Sequence, residues 1–454
     1  MRRRRGGARS GVETVPQPGG LGDRSGRGTR CADRPVLNRG MIAPMNDTFA
    51  PTRAAAQNRL AAVRAAAYAS TRNHLDGAVT RLSPYLTHGL LSVPEVALRH
   101  GLGLEHKLLQ ELGWREFFQH VWRHRGEAIF ESLHAGPRPD ADYAATLPED
   151  IRCARTGVPV IDTAVRTLYA SGWLHNHVRM WLASYVVHVR GVHWRAGADW
   201  MLAHLLDGDL ASNHLSWQWV AGTGSHKPYL FNAENVARYA RAIPGWASPG
   251  SVVDTAYATI ERWASGAAPL PPAPVKASGG VTEPALWRTP PPDLPPISAL
   301  PKPRTLAGRE VWLIHPWSLA DPAALADNRA ARETLRLGVW PAECHARWPW
   351  SAARWRFVAE RMALISHQVV HADSASLQLA LGSAARVQCT DNQHLPAAWP
   401  AAWRQSAPRL LADPEQLCGS FSQFWRQVTE GAQTLADLPG WRGARGLPPD
   451  LLED

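Results

Sequence analysis

Twelve prolines fall within the 35 residues from position 269 to position 303. Proline fixes φ and has no backbone N–H, so neither a helix interior nor a central strand can run through such a stretch. The segment is expected to be an extended, semi-rigid linker with polyproline II character. At roughly 3.1 Å per residue it could span about 100 Å, enough to cross a whole domain. It also separates two patterns. From Ala50 to about Ser265, apolar residues recur at spacings of three and four, with Gly and Pro in the loops, which predicts helices throughout. After it, 310–315 (EVWLIH), Gln368–Ala372 (QVVHA) and Arg386–Thr390 (RVQCT) predict short buried strands, with a helix over 352–366 between the first two. Strands alternating with helices imply a parallel sheet. The expected class is α + α/β: an all-helical domain over 47–265, a Pro-rich linker over 266–305 and a small parallel-sheet α/β domain over 306–454.

The 454 residues carry 49 Lys and Arg against 39 Asp and Glu, a formal charge of +10. Ten arginines against Glu13, Asp23 and Asp33 put +7 of it in residues 1–40, leaving +3 for the other 414. A uniformly basic coat for nucleic acid is therefore not expected. The Arg/Gly/Pro-rich stretch 1–46 reads as disordered, or as sequence upstream of a later start at Met41 or Met45. It lacks an apolar core and is not a secretory signal. No run of eighteen apolar residues occurs, which excludes a membrane-spanning helix. Cys31, Cys153, Cys344, Cys389 and Cys418 form no CxxC pair. That argues against structural zinc, common iron–sulfur clusters and a secreted disulfide framework, and suits a reduced cytoplasmic compartment.

Three segments carry candidate chemistry. In 156–229, Asn176, Arg179 and Ala183 share one helical face, and a guanidinium there needs an anionic partner. Further on, Asp209 is placed to cap a helix whose face continues through Asn213 and Trp217; this trio reads equally as a cap, a core amide and a core indole. In 77–91, hydroxyls flank Arg81 just before Pro84, which suits an anion at a helix start or a plain surface loop. In 111–124, Glu111 and Arg115 sit i, i+4 and are expected to pair, with Trp114 and Phe118 beside them. His120 and His124 have metal-ligand spacing but no HExxH arrangement, so no metal is expected.

Together, in this order, the three segments resemble the flavin-binding domain of the DNA photolyase/cryptochrome family over roughly 68–239. The densest matches are Thr156-Gly157-Val158-Pro159-Val160-Ile161-Asp162, Gly172-Trp173-Leu174-His175-Asn176-His177-Val178-Arg179-Met180, Asp207-Gly208-Asp209-Leu210-Ala211-Ser212-Asn213 and Trp217-Gln218-Trp219. The resemblance implies a helical domain holding FAD in a folded, U-shaped conformation. Tyr68 and the loop Val79-Thr80-Arg81-Leu82-Ser83 would hold the phosphates. Residues of 111–118, Glu111 and Arg115 among them, would line the cavity beside adenine and substrate, and Asn176 would touch the cofactor. Arg179 would pair with Asp207 next to the isoalloxazine, with Gly208 completing that turn, Asp209 facing flavin or ribose and Asn213 at flavin N5. Arginine beside the pyrimidine ring would favour the anionic reduced flavin electrostatically.

The activity implied is light-driven splitting of pyrimidine dimers in UV-damaged DNA, with a cryptochrome-like photoreceptor that repairs nothing as the alternative. Trp114 and Trp219 would wall the lesion pocket, Asn176, His177 and Met180 would lie on the substrate side, and Glu111, in a dry pocket with a raised pKa, would donate to the lesion. Trp217 and Trp194 match the first two members of an electron-transfer chain. The third has no Trp, so Tyr143, Trp173, Trp181 or Trp200 would end it. His177 stands where many relatives have Arg. The shortened 222–232 loop also loses a DNA-contacting Arg that His226 or Lys227 would replace. Finally, 311–325 and Phe421-Ser422-Gln423-Phe424-Trp425 resemble the opening and end of the family's α/β antenna domain, here placed after the helical domain. The Arg-Asp-Leu-Arg motif of that opening is absent, and the antenna chromophore stays unknown.

Overall fold

A computed structural model describes residues 49–225, 227–241, 243–272, 279–321 and 334–438. The stretch 1–46, Cys31, His226, the end of the 311–325 match and the last residues of the α/β region lie outside the described residues.

Helices occupy Arg53–Ala61, Ala65–Thr71, Ser83–Thr87, Val93–Arg99, Lys107–Arg125, Pro159–Ser171, Asn176–Ser184, Trp194–His204, Leu210–Ala221, Ala233–Tyr239 and Tyr257–Ala264. Local chemistry sets their ends. Ser92 and Glu95 form a reciprocal capping box at Val93–Arg99. Pro159 starts Pro159–Ser171, and Gly172 at φ 65° closes it in a conformation glycine adopts without steric cost. The Asn176–Ser184 helix runs directly into a single π-helical turn, Tyr185–Val189.

Beyond them lies a five-stranded, all-parallel sheet in the order β5-β3-β2-β6-β7. Its strands are β2 (Glu310–Ile314), β3 (Leu335–Pro341), β5 (Gln368–Ala372), β6 (Arg386–Thr390) and β7 (Arg404–Gln405). The helix before β5 is Ala352–Ile365. Strand β3, which sits between β2 and β5, is not expected from its residues, because Arg336, Gly338 and Pro341 all weaken a strand signal. Gly338 has a packing reason: a Cβ there would come within 2.7 Å of Met362 Cγ on the helix above.

The described part of the proline-rich stretch after position 278 is tied to the sheet unit. Leu286–Trp287 (β1) pairs antiparallel with Trp350–Ser351 (β4), and Ser298 N–H donates to Val369 O at 2.8 Å. Nor do the helices and sheet keep separate cores. Leu60, Leu82, Tyr85, Leu90 and Val96 share one apolar cluster with sheet residues Val311, Leu313, Leu337, Val339 and Val370. On another face, the Phe421–Val428 helix lies against Lys107–Arg125, with Trp425 over Gly113. Beside it, the Glu116 carboxylate accepts the N–H groups of Leu410 at 3.1 Å and Leu411 at 3.0 Å.

Candidate functional site

A cavity of about 350 Å³ opens between the Ala65–Thr71, Lys107–Arg125, Asn176–Ser184 and Leu210–Ala221 helices. Its centre is an ion pair. Arg179 Nη2 donates to Asp207 Oδ2 at 2.7 Å, and its Nε donates to Leu174 O at 2.9 Å. The Asp207 side chain is only 1% exposed, against 25% for Arg179. Asp207 Oδ1, on a cavity-lining residue, is buried without a hydrogen-bond partner. Buried polar atoms left in that state are costly unless something satisfies them.

Asp209 caps the Leu210–Ala221 helix, its Oδ1 accepting Ser212 N–H at 2.8 Å. Gln119 Nε2 donates to the same carboxylate and Arg115 lies 3.6 Å from it. Burial pushes the Asp209 carboxyl up, but Arg115 and the other partners more than offset this and hold it below the usual range. Asn213, one turn along, donates its Nδ2 to Ala198 O at 2.9 Å, and Trp217 follows it on the cavity wall.

At the other end, the loop 79–83 turns through Arg81, a non-glycine residue at φ 53°. Its guanidinium lies 4.5 Å from the centre of the Trp173 ring, whose indole N–H donates to Ser83 Oγ at 3.2 Å. His175 caps the Asn176–Ser184 helix through Nδ1. Burial pulls both His175 and His177 down to about 4, so both are neutral at neutral pH. Tyr68 lines the same region, and burial pushes its phenol well up.

Trp217 owes its place to a glycine. A Cβ on Gly197, in the adjacent Trp194–His204 helix, would come within 2.3 Å of Trp217 Cη2. Gly197→Ala is therefore expected to push the indole into the cavity at a cost of about 1–3 kcal/mol, seen as a lower midpoint in thermal unfolding with altered near-UV dichroism. An unchanged midpoint would show that this helix contact yields freely.

Residues 108–271 match the family model of the FAD binding domain of DNA photolyase. The stretch 108–271 is thus similar to the FAD-binding domain of the DNA photolyase/cryptochrome family. A deoxyribodipyrimidine photo-lyase of Streptomyces griseus is 40% identical over 155 residues, 33% of this chain and 33% of that protein. A chloroplastic/mitochondrial cryptochrome DASH of Ostreococcus tauri is 34% identical over 209 residues, covering 43% and 38%. The solved archaeal photolyase of Sulfolobus tokodaii, described with two FAD molecules, shares 25% identity over 49% of this chain and 52% of that one, with a TM-score of 0.38. This chain thus spans about a third of the length of the curated relatives it matches.

The photolyase-type cavity fits FAD on its own chemistry. Its volume lies in the ordinary ligand-pocket range of ~300–1,000 Å³. It offers an unpartnered carboxylate oxygen at Asp207 for a ligand N–H and hydroxyls at Thr80 and Ser83. Cationic side chains at Arg72, Arg81 and Arg115 suit phosphates.

Of the residues expected in this photolyase-type site, Tyr68, Val79, Thr80, Arg81, Ser83, Glu111, Trp114, Arg115, Asn176, His177, Arg179, Met180, Asp207, Asp209, Asn213 and Trp217 line the cavity together. Several expectations need correction. Leu82 is 1% exposed in the core shared with the sheet, because the turn at Arg81 directs it inward. Gly208 lies behind the cofactor cavity, lining a second one of about 330 Å³. Glu111 and Arg115 do not pair with each other: Arg72 lies 3.3 Å from Glu111, and Arg115 turns to Asp209. Nor is Glu111 in a dry pocket, its side chain being 42% exposed. Trp219 is 39% exposed beside Tyr229, outside the cavity lining.

Trp194 lies outside the lining too, buried with its N–H on Ser132 Oγ. It is 5.6 Å from His193, which in turn is 6.2 Å from Tyr143. Trp181 and Trp200 bond instead to Asn235 and Tyr169. His120 Nδ1 bonds Asp413 Oδ1 and Nε2 accepts Cys418 N–H, and His124 lies beside them, so that potential ligand atoms of His120, His124 and Asp413 come within 4.8 Å of one another. Arg72, Asn73 and Ser212 line the cavity without having been expected. Arg72 was legible in principle, one helical turn after Tyr68. The described cysteines are all free, and no described helix is long and apolar enough to cross a membrane.

Proposed function

We propose that this chain carries out light-driven repair of pyrimidine dimers in DNA, as a photolyase working in the cytoplasm. The observation that carries the reading is the buried Arg179–Asp207 couple, set in one cavity with Asn213 and Trp114. Bound FAD in its reduced form supplies, on illumination, the electron that splits the dimer. The chain's own residues supply the rest. Arg179 and Asp207 orient the ring system, and Asn213 presents an amide able to turn either dipole end to it. Arg72 and Arg81 meet the phosphates, Arg72 supplying the cation that neutral His177 does not. Trp114 offers a stacking wall to a base taken out of the duplex, and Glu111 a polar contact at the cavity mouth. Trp217, Trp194, His193 and Tyr143 form a path for electrons from the surface. UV-damaged DNA is the partner in this reading. The division into 47–265, 266–305 and an antenna-type unit from 306 is likewise our reading, with the antenna chromophore left unassigned.

The test is repair of a dimer-containing oligonucleotide under near-UV or blue light by pre-reduced, FAD-loaded protein. Repair is expected, and Glu111→Ala should lower its yield about tenfold, the loss of a hydrogen bond of roughly 1.4 kcal/mol. A second reading, a photoreceptor without repair activity, draws support from Trp219, which leaves the cavity with one aromatic wall fewer. Flavin-loaded protein that repairs no more than a no-enzyme control would establish that second reading instead.

A further inference from the structure

The turn carrying Asp207 and Asp209 has two sides. Its carboxylates line the cofactor cavity, while its backbone is held from behind by residues of both the helical part and the α/β unit. Thr87 Oγ1 donates to Asp207 O at 3.2 Å, and His88 bonds Leu206 O at 2.9 Å. His394 Nε2 accepts Leu210 N–H at 3.2 Å while its Nδ1 bonds Asn392 Oδ1 at 2.8 Å, one neutral tautomer serving both. Between these lies Arg354, from the Ala352–Ile365 helix, donating Nη2 to Gly208 O. A Cβ at Gly208 would come within 2.7 Å of the Leu202 backbone carbonyl as well as 2.5 Å of Arg354 Nη1, so the turn admits glycine there and lets the guanidinium approach.

Arg354 is 1% exposed, with its guanidinium 3.8 Å from the centre of the Trp350 ring. It makes no ion pair among the described residues, and the charges that favour its protonated form are Asp207 and Asp209. Burial pulls it down to about 9, still protonated at neutral pH. Around the turn, three guanidiniums (Arg115, Arg179, Arg354) therefore face two carboxylates, and His394 is neutral because burial pulls it down to about 3. One positive charge is left over, and it comes from the α/β unit. In a low-dielectric interior such a charge acts over several ångströms with little screening.

We propose that Arg354 is a positioning residue for the flavin site: it fixes the Asp207–Asp209 backbone from behind and supplies the unbalanced positive charge beneath it, so that FAD affinity and flavin reduction potential depend on a residue that does not line the cofactor cavity. This rests on FAD occupying the cavity. A carbon side chain in place of the guanidinium disfavours the negatively charged reduced flavin and loosens the turn.

The experiment measures FAD dissociation and the flavin midpoint potential in full-length holoprotein for wild type, Arg354→Met and Arg354→Lys. Arg356→Met, on the exposed side of the same helix, is the control. Arg354→Met should bind FAD at least about tenfold more weakly, about 1.4 kcal/mol, with a more negative potential. Arg354→Lys keeps the charge and loses the fork, so affinity should fall while the potential stays near that of wild type. Should Arg354→Met fail to fold, the lysine variant decides alone: unchanged affinity, or a potential displaced as far as the control is not, overturns the proposal. Arg354→Met matching wild type in both measurements overturns it too. Wild-type protein that takes up no FAD overturns the flavin reading itself, which is a separate result.

Discussion

Arg179→Ala and Asp207→Ala proteins are expected to leave purification colourless, while wild-type protein remains yellow with flavin. The two substitutions fail for different reasons. Asp207 is almost fully enclosed, with one carboxylate oxygen on Arg179 and the other unpartnered. Removing Arg179 takes away the only guanidinium hydrogen-bonded to that carboxylate among the described residues, a cost of about 3–5 kcal/mol when a buried pair is broken. Removing Asp207 leaves a guanidinium that is a quarter exposed and still bonded to Leu174 O, so the fold should suffer less, but the ligand loses its acceptor. In both, FAD affinity should drop at least about 100-fold, from a loss near 3 kcal/mol. Absorbance at the flavin bands per mole of protein is the measurement, with thermal unfolding of each apoprotein to separate ligand loss from fold loss. Stoichiometric flavin in both variants would mean that the ion pair is not the cofactor's anchor.

The second large effect is expected at a residue with no part in flavin chemistry. Glu116 places one carboxylate oxygen on each of two successive backbone N–H groups, those of Leu410 and Leu411, which are 0% and 1% exposed. Burial pushes its carboxyl above the ordinary value, with the two N–H groups and nearby arginines working against that. Glu116→Ala strands both donors in an apolar cluster, at about 1–3 kcal/mol for each unsatisfied group, and so should cost roughly 2–6 kcal/mol. Glu116→Gln keeps an acceptor and should cost about half as much. Urea unfolding measures both. Because the same segment leads to Phe421, which stacks on Trp114 at 4.2 Å and 12°, the alanine variant should also change Trp fluorescence. Equal stabilities for wild type and Glu116→Ala would show that the 409–428 segment is held by its apolar contacts alone.

Much of this was legible in linear order. Strand β2 is a near-continuous apolar run, β5 carries Val369, Val370 and Ala372 and β6 alternates buried Val387 and Cys389 with polar residues, and each lies within one residue of where its pattern places it. The Asp209 cap and the face shared by Asn176, Arg179 and Ala183 follow from helical spacing alone. What failed were partner choices. Glu111 and Arg115 satisfy the i, i+4 rule, yet each finds a better partner on another element, Arg72 and Asp209. A surface pair at that spacing is worth only about 0.2–0.5 kcal/mol, too little to resist a buried carboxylate. Strand β3 escaped because its Gly338 serves the approach of a helix rather than the strand's own propensity.

The set of side chains that meet around one cavity was implied only by the resemblance to the photolyase/cryptochrome family, while the order of residues by itself determined the helical half and the alternation of strands and helices after the prolines. Those features depend on periodicity and on local capping, which act over a few residues. Only the tertiary structure decided which of them touch: that Gly208 faces backwards to Arg354, that Leu82 joins the core shared with the sheet, and that Phe421 lies on Trp114. Each of these contacts joins residues more than 140 positions apart, or joins the helical half to the α/β unit. Their energies come from burial and electrostatics in a packed interior, which no local spacing encodes.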